Sequence, residues 1–347
     1  MLELPYEKMD LMDELGNQGL PFLFVINFDG SEVCVWREEE VPPYIRFSVP
    51  LKRQSDDEPA EGTFPGGDAG GNGGRAGRAT MATTPSEDDF VIVKPSFKAY
   101  SDAFNRVMHH LQRGDTYLIN LTMPTLLDSS LTPEQIYMLS SAPYRFLWRD
   151  RFVCFSPEIF VRIDDGVISS YPMKGTIDAS VPNARETILA DRKEFAEHNT
   201  IVDLIRNDLS MVAEEVRVKR YRYIDEVVSR QRTLLQVSSE INGRLPAGTE
   251  RSIGTIMSRL LPAGSVTGAP KKKTVAILKS VEGYDRGFYT GVFGYFDGRR
   301  LDSGVMIRFI ESRGGRLCYK SGGGITAMSN LKDEYDELIK KIYLPFL

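Results

Sequence analysis

Two pairs of glutamates are the first residues whose spacing could do chemistry. Glu194 and Glu197 lie in DRKEFAEH, and Glu334 and Glu337 lie in KDEYDELIKK, each pair three residues apart within a helical pattern. That spacing puts both carboxylates of a pair on one helix face. Brought together, the pairs would form an all-oxygen site for a hard cation, and magnesium suits carboxylates, water and a bridging anionic substrate. Taken singly, each pair reads first as a solvated helix face. Lys174, in YPMKGTI, follows an apolar methionine at the end of a strand pattern and precedes Gly175. In a low-dielectric pocket such an amine loses proton affinity and becomes a nucleophile; on a surface it is an ordinary lysine. Glu158, in SPEIF, could serve as its proton partner or as a general acid and base.

Three further segments have functional and structural readings side by side. PAGSVTGAPK, residues 262–271, puts small residues around Ser265, Thr267 and Gly268 just before a helix start marked by Pro270. Exposed N–H groups at such a start can hold a carboxylate, although a loop-to-helix turn explains the composition equally. SGGGI, residues 321–325, permits close backbone approach to a ligand or marks a plain turn after a strand. In IVDLIRNDLS, residues 201–210, charges within an apolar run are costly unless paired, so Asp203 and Arg206 read as a structural ion pair.

The elements that must position these groups follow from the patterning. PFLFVINFDGSEVCVWREE reads as a hairpin around Asp29-Gly30. Phe97, Tyr100, Phe104, Val107, Met108 and Leu111 recur at helical spacing up to Gly114-Asp115. YLINLTMPTLL is a strand, FLWRDRFVCFS a hairpin, and EIFVRI and GVISSYP two further strands. Residues 184–209 read as one long helix, GVFGYFDGRRLDSGVMIRFIE as a hairpin, and LKDEYDELIKKIY as an amphipathic helix. Helices and antiparallel strands alternate without the rhythm of a parallel sheet, which predicts an α+β (mixed α/β) architecture with large sheets.

Composition narrows the chemistry. The 347 residues carry 43 basic and 48 acidic side chains, a net charge of −5, which argues against nucleic acid as the main partner. With only three histidines and three cysteines (Cys34, Cys154 and Cys318), neither a clustered zinc site nor a disulfide scaffold is expected. Proton transfer then falls to Glu, Asp, Lys or Tyr. No targeting segment is expected from the acidic start, FLFVI at 22–26 is too short to span a bilayer, and the reading is cytoplasmic. Residues 53–88 hold eight of the 30 glycines, between Gly62 and Gly77, and read as a flexible insert. Residues 1–52 then read as a short sheet-contributing segment and 89–347 as the main domain.

SPEIF, PMKGT, EFAEHNTIVDLIRNDLS, GSVTGAPK, RGFYTGVFGY, VMIRF, GGGI and EYDELIKK, in this order over about residues 95–345, resemble the signature series of the chorismate-utilising enzymes. The resemblance implies a sandwich of two large, mostly antiparallel sheets flanked by helices, as in anthranilate synthase component I. It implies that Glu197 and Glu337, supported by Glu194 and Glu334, hold Mg2+ against the ring carboxylate of chorismate. Within the family, Lys174 in the PxxGT motif resembles the aminodeoxychorismate synthase component I branch, whereas anthranilate synthases have alanine there. The water-adding branches use a lysine on the strand and a glutamate before PLAGT; the corresponding positions here are Leu118 and Tyr171.

The implied reaction is amination of chorismate. Lys174 attacks C2 and expels the C4 hydroxyl, with Glu158 supplying the proton; ammonia then attacks C4, releases the lysine and leaves 4-amino-4-deoxychorismate, a precursor of 4-aminobenzoate and folate. Arg308 would pair with a substrate carboxylate, with Tyr289, Thr267, Gly268, Gly322, Gly323, Gly324 and Lys341 completing the anion site. Gln236 stands where the family commonly has a histidine. No cysteine sits in a nucleophile-elbow setting, so ammonia is expected from a separate glutamine amidotransferase subunit. The N-terminal part lacks the LLES-type segment of the tryptophan site, and no tryptophan feedback is expected. The alternatives are anthranilate synthase component I, or a non-catalytic chorismate-binding subunit.

Overall fold

In the computed structural model, residues 4–52, 63–65, 78–80, 90–228 and 233–344 are described. The chain opens with helix α1 (Tyr6–Gln18), closed by Gly19 at φ 67°, a left-handed turn that favours glycine. The hairpin β1 (Phe22–Ile26) and β2 (Val33–Arg37) turns at Asp29-Gly30, and β3 (Ile45–Ser48) follows. Two short strands, β4 (Thr63–Pro65) and β5 (Arg78–Thr80), pair with each other; the remainder of the glycine-rich insert lies outside the described residues. Then come β6 (Phe90–Val93), α2 (Phe97–Gln112), β7 (Leu118–Ser129), α3 (Pro133–Leu139), β8 (Tyr144–Trp148), β9 (Phe152–Ser156), β10 (Ile159–Asp164), β11 (Val167–Ser170) and β12 (Met173–Asp178). The second half runs α4 (Ala184–Ala190), α5 (Arg192–Leu209), β13 (Glu214–Val228), β14 (Thr233–Arg244), α6 (Ile253–Leu260), α7 (Gly264–Thr267), β15 (Gly268–Ala269), α8 (Lys271–Val281), β16 (Val292–Phe296), β17 (Leu301–Val305), β18 (Phe309–Arg313), β19 (Arg316–Ile325) and α9 (Leu331–Lys340).

The strands form two large sheets in which the adjacent strands pair antiparallel. One has nine strands in the order β12-β14-β11-β10-β17-β16-β1-β2, with β13 also on β14; the other has eight in the order β15-β7-β19-β18-β9-β8-β3, with β6 on β7. The expected mixed architecture and its hairpins are observed. The sheets face each other through Leu23, Val25, Phe293 and Tyr295 from the first and Phe47, Phe146, Phe152 and Phe309 from the second. Ring pairs such as Phe152–Phe309, with centroids 4.7 Å apart, fill this layer. Helices α1, α5 and α6 cover the other side of the first sheet through Met12, Ile201, Ile205 and Ile256. Helices α2, α8 and α9 cover the second through Tyr100, Phe104, Ile277 and Leu338. Among the described residues no helix is long and apolar enough to cross a membrane.

Three local expectations need correction. Residues 184–209 are two helices rather than one, because Asp191 adopts an extended conformation and its side chain accepts from the backbone N–H of Glu194 as the cap of α5. Lys174 is the second residue of β12, not the end of a strand. Gly322–Gly324 lie inside β19, in register with Thr122, Leu121 and Asn120 of β7, rather than in a turn after it.

Candidate active site

Helices α5 and α9 bring the two glutamate pairs to one place beside β12 and β19. Asp191 starts α5, and Asn330 starts α9 by accepting from the N–H groups of Lys332 and Asp333. These caps fix where each helix begins, and the three-residue spacing keeps each pair on one face. Lys193 bridges the pairs, with its ammonium 3.7 Å from Glu197 and 3.3 Å from Glu334. Lys174 reaches Glu197 at 3.6 Å, and Lys341 reaches Glu337 at 2.7 Å and the Gly322 carbonyl at 3.0 Å. Burial, reinforced by the neighbouring Glu197 charge, pushes the Glu194 carboxyl up; burial likewise pushes Glu334 up, with Glu337 adding to it. Burial opposes ionisation at Glu337 as well, but Lys341 and Lys174 hold it below the usual range.

This donor set fits a hard divalent cation in its chemistry: four carboxylates from two helices, two of them raised by burial and like charge that a cation would relieve. Their arrangement is not a closed cage. Among the described residues no three His, Cys, Asp or Glu side chains converge as a metal-holding group, and the lysines stand between the carboxylates instead.

The glycine strand forms one wall. A Cβ at Gly323 would stand 3.6 Å from both Glu334 and Glu337 and 3.7 Å from the Lys341 ammonium; one at Gly324 would lie 3.8 Å from the Lys174 ammonium and 3.3 Å from Leu118. Lys174 and Leu118 therefore meet at the same glycine, and the strand position considered for a water-activating lysine carries an apolar, buried side chain. Tyr171 is also accounted for, with the Arg162 guanidinium 5.7 Å from its ring centroid.

Glu158 follows β9, its carbonyl accepting from Val305 and its N–H donating to Ser156. Burial pushes its carboxyl up, while a hydrogen bond from Ser265 and the charges of Lys174, Arg308 and Lys341 oppose the rise. Arg308 has φ 53° between β17 and β18, and its Nε donates to the Tyr343 hydroxyl at 3.1 Å. Tyr289 is buried beside Phe309; burial raises its phenol, and its nearby charges include Arg308 and Glu158.

Other expected residues have different surroundings. Thr267 is fully buried and its hydroxyl donates to the Ala263 carbonyl at 2.8 Å; in this segment it is Ser265 that reaches Glu158. Gly268 is glycine because φ is 116° and a Cβ would lie 2.0 Å from the Leu118 carbonyl, a reason of chain packing. Gln236 is half-buried on β14 opposite Thr176 and Asp225, one residue from the register partner of Lys174. Sequence reasoning missed Lys193 and Tyr343, and it named Ser265 only within its small-residue segment, without the bond to Glu158. Asp203 and Arg206 do pair, at 3.1 Å, on the surface. His198 is buried, bonds Ser239 at 2.7 Å and stays neutral, since burial lowers it to about 4.

The family described as chorismate binding enzyme matches residues 74–345. An uncharacterized PabA-like protein of Haemophilus influenzae is 43% identical over 331 residues, covering 95% of this chain and 94% of that one. Anthranilate synthase component 1 of Archaeoglobus fulgidus is 34% identical, covering 71% of this chain and 61% of its own. Aminodeoxychorismate synthase component 1 of Bacillus subtilis is 31% identical, covering 70% and 54%. This chain thus spans little more than half the length of the two relatives named for a reaction. Among solved structures, an isochorismate synthase from Bacillus anthracis superposes with a TM-score of 0.66 at 20% identity, covering 97% of this chain and 86% of that one, a likeness of fold.

Proposed function

We propose that this chain, which belongs to the family of chorismate binding enzymes, is the chorismate-aminating component of an aminodeoxychorismate synthase, with ammonia delivered by a separate glutamine amidotransferase subunit. The family and the relatives place it among chorismate-utilising enzymes of the aminodeoxychorismate and anthranilate synthase component I type. The finer reading rests on one observation: a lysine amine, Lys174, stands at the glycine wall next to the glutamate pairs, where Leu118 provides no base.

In this reading Lys174 attacks C2 of chorismate, both ring double bonds shift by one position and the C4 hydroxyl leaves as water with a proton from Glu158. Ammonia then adds at C4, the bond to Lys174 breaks, and the surplus ammonia proton returns to Glu158. Arg308 pairs with a substrate carboxylate, and the Gly322–Gly324 backbone lines the anion. Glu197 and Glu337, with Glu194 and Glu334, would hold Mg2+, which when bound neutralises the ring carboxylate. Removing the Lys193 bridge frees two of those carboxylates for it.

The test is product analysis with chorismate, Mg2+ and ammonium, together with intact-mass measurement of the protein. Aminodeoxychorismate and a mass adduct lost in Lys174→Ala are expected. Fluorescent anthranilate would establish the second reading, which the 34% identical Archaeoglobus relative keeps open. An absence of chorismate consumption would sink both.

A further inference from the structure

The proton-handling role given to Glu158 needs more than a buried carboxyl, because a carboxyl free to rotate presents its oxygens to the reacting atoms only part of the time. One side chain fixes it. The Ser265 hydroxyl donates to Glu158 Oε1 at 2.5 Å, leaving Oε2 to exchange a proton. The other charged groups acting on Glu158 come from separate elements: Lys174 from β12, Arg308 from the link between β17 and β18, and Lys341 from the end of α9. Tyr289 also senses its charge.

Ser265 is itself held by a rigid support. The next residue, Val266, has its carbonyl gripped by Asn120 Nδ2 and Arg286 Nη1, each at 3.0 Å. Arg286 is anchored in turn by Glu282 at 2.6 Å, both side chains being almost completely buried. Thr267 back-bonds to Ala263, and Gly268 presses on β7. A hydroxyl delivered from so constrained a segment loses little freedom when it bonds, which is what preorganisation requires.

We infer that Ser265 is the positioning residue of Glu158, holding one carboxyl oxygen so that the other faces the reacting atoms. The inference rests on the reading of Glu158 given above and adds the residue that makes it effective. A donor to the charged form favours that form, so losing Ser265 leaves Glu158 both less oriented and harder to ionise.

The test uses Ser265→Ala, Ser265→Cys and Ser265→Thr, with two readouts. First, infrared difference spectra against Glu158→Gln isolate the Glu158 carboxylic C=O band, and its pH midpoint is followed without substrate. The midpoint should rise by about one pH unit in Ser265→Ala and in Ser265→Cys, whose thiol is a weak donor. Ser265→Thr should return it to the wild-type position. Second, kcat/KM for chorismate should fall about tenfold or more in Ala and Cys, its pH profile moving the same way, with Thr restoring both. Midpoints that stay put in Ala and Cys overturn the inference, whatever the turnover. A moved midpoint in a protein that consumes no chorismate upholds the Ser265–Glu158 link and refutes the amination reading instead.

Discussion

The three consecutive glycines of β19 make one prediction that separates fold from function. None of them has a left-handed φ, so alanine is conformationally allowed at each, and only the space around the new methyl matters. At Gly322 it would meet the Leu121 carbonyl and the Thr122 methyl, both at 2.5 Å. One of these is backbone, so the sheet must shift, at about 1–3 kcal/mol, and a fall in Tm of a few degrees is expected for a chain this long. At Gly323 the nearest atoms are the carboxylates of Glu334 and Glu337 at 3.6 Å, an ordinary contact. The fold loses nothing there and gains about 0.4–1 kcal/mol from a stiffer unfolded chain. The same methyl, however, occupies the space between strand and carboxylates where the substrate anion is proposed to lie. Losing one hydrogen bond to a charged group there costs about 1.5–3 kcal/mol, or about 10- to 150-fold in affinity. Calorimetric unfolding and calorimetric titration of chorismate in Mg2+ read the two effects separately. Gly322→Ala should lose stability, and Gly323→Ala should keep or slightly raise Tm while losing affinity. If Gly323→Ala binds chorismate like the wild type, the glycine wall does not line the substrate, and the reading of the site fails at that point.

Two further perturbations follow from the ion pairs. Lys193→Met should tighten Mg2+ binding several-fold in calorimetry without substrate, because the ammonium bridging Glu197 and Glu334 competes for the same oxygens; unchanged or weaker binding would show that it does not. Glu282→Ala strips the partner from buried Arg286 and the acceptor from the Thr122 N–H. It should destabilise the protein by about 3–5 kcal/mol, and a denaturant midpoint equal to that of the wild type would refute the claim that this pair clamps the Ser265 segment.

The legible parts of the fold were those with local punctuation. Asp29-Gly30 makes its hairpin because Gly30 takes φ 73° and the Asp29 side chain accepts from the Ser31 N–H, chemistry readable from two letters. Strand β13 was not readable in this way. Charged residues interrupt the apolar ones along its EEVRVKRYRYIDEVV, and it is a strand because it pairs along β14, with Lys219 and Arg220 both bonding Glu240 across the pair. The glycine run looked like a turn because the close approach of β7 at Gly322, where a Cβ would lie 2.5 Å from the Leu121 carbonyl, is recorded by no local pattern. Helix α1 went unread because its contact with α6 is backbone to backbone: a Cβ at Gly254 would lie 2.0 Å from the Met9 carbonyl.

The site shows the same division. Helical spacing was enough to put Glu194 with Glu197 and Glu334 with Glu337, since a repeat of 3.6 residues is local knowledge. What lies between the pairs was not local. The carboxylates of Glu158, Glu194, Glu197, Glu334 and Glu337 are interleaved with Lys174, Lys193, Lys341 and Arg308, five acids against four bases drawn from elements far apart in the chain. That near-balance explains how so many carboxylates share a partly buried space, which like charges alone could not do. It also restricts the ligand. A dianion entering alone would face a slight excess of negative charge, and a divalent cation alone would have to displace Lys193. Together they leave the site near neutrality, with Lys193 and Arg308 free for the substrate carboxylates. In the proposed reading a divalent cation reverses the small negative excess of the five acids over the four bases, and a dicarboxylate restores it, so metal and substrate compensate each other in one site.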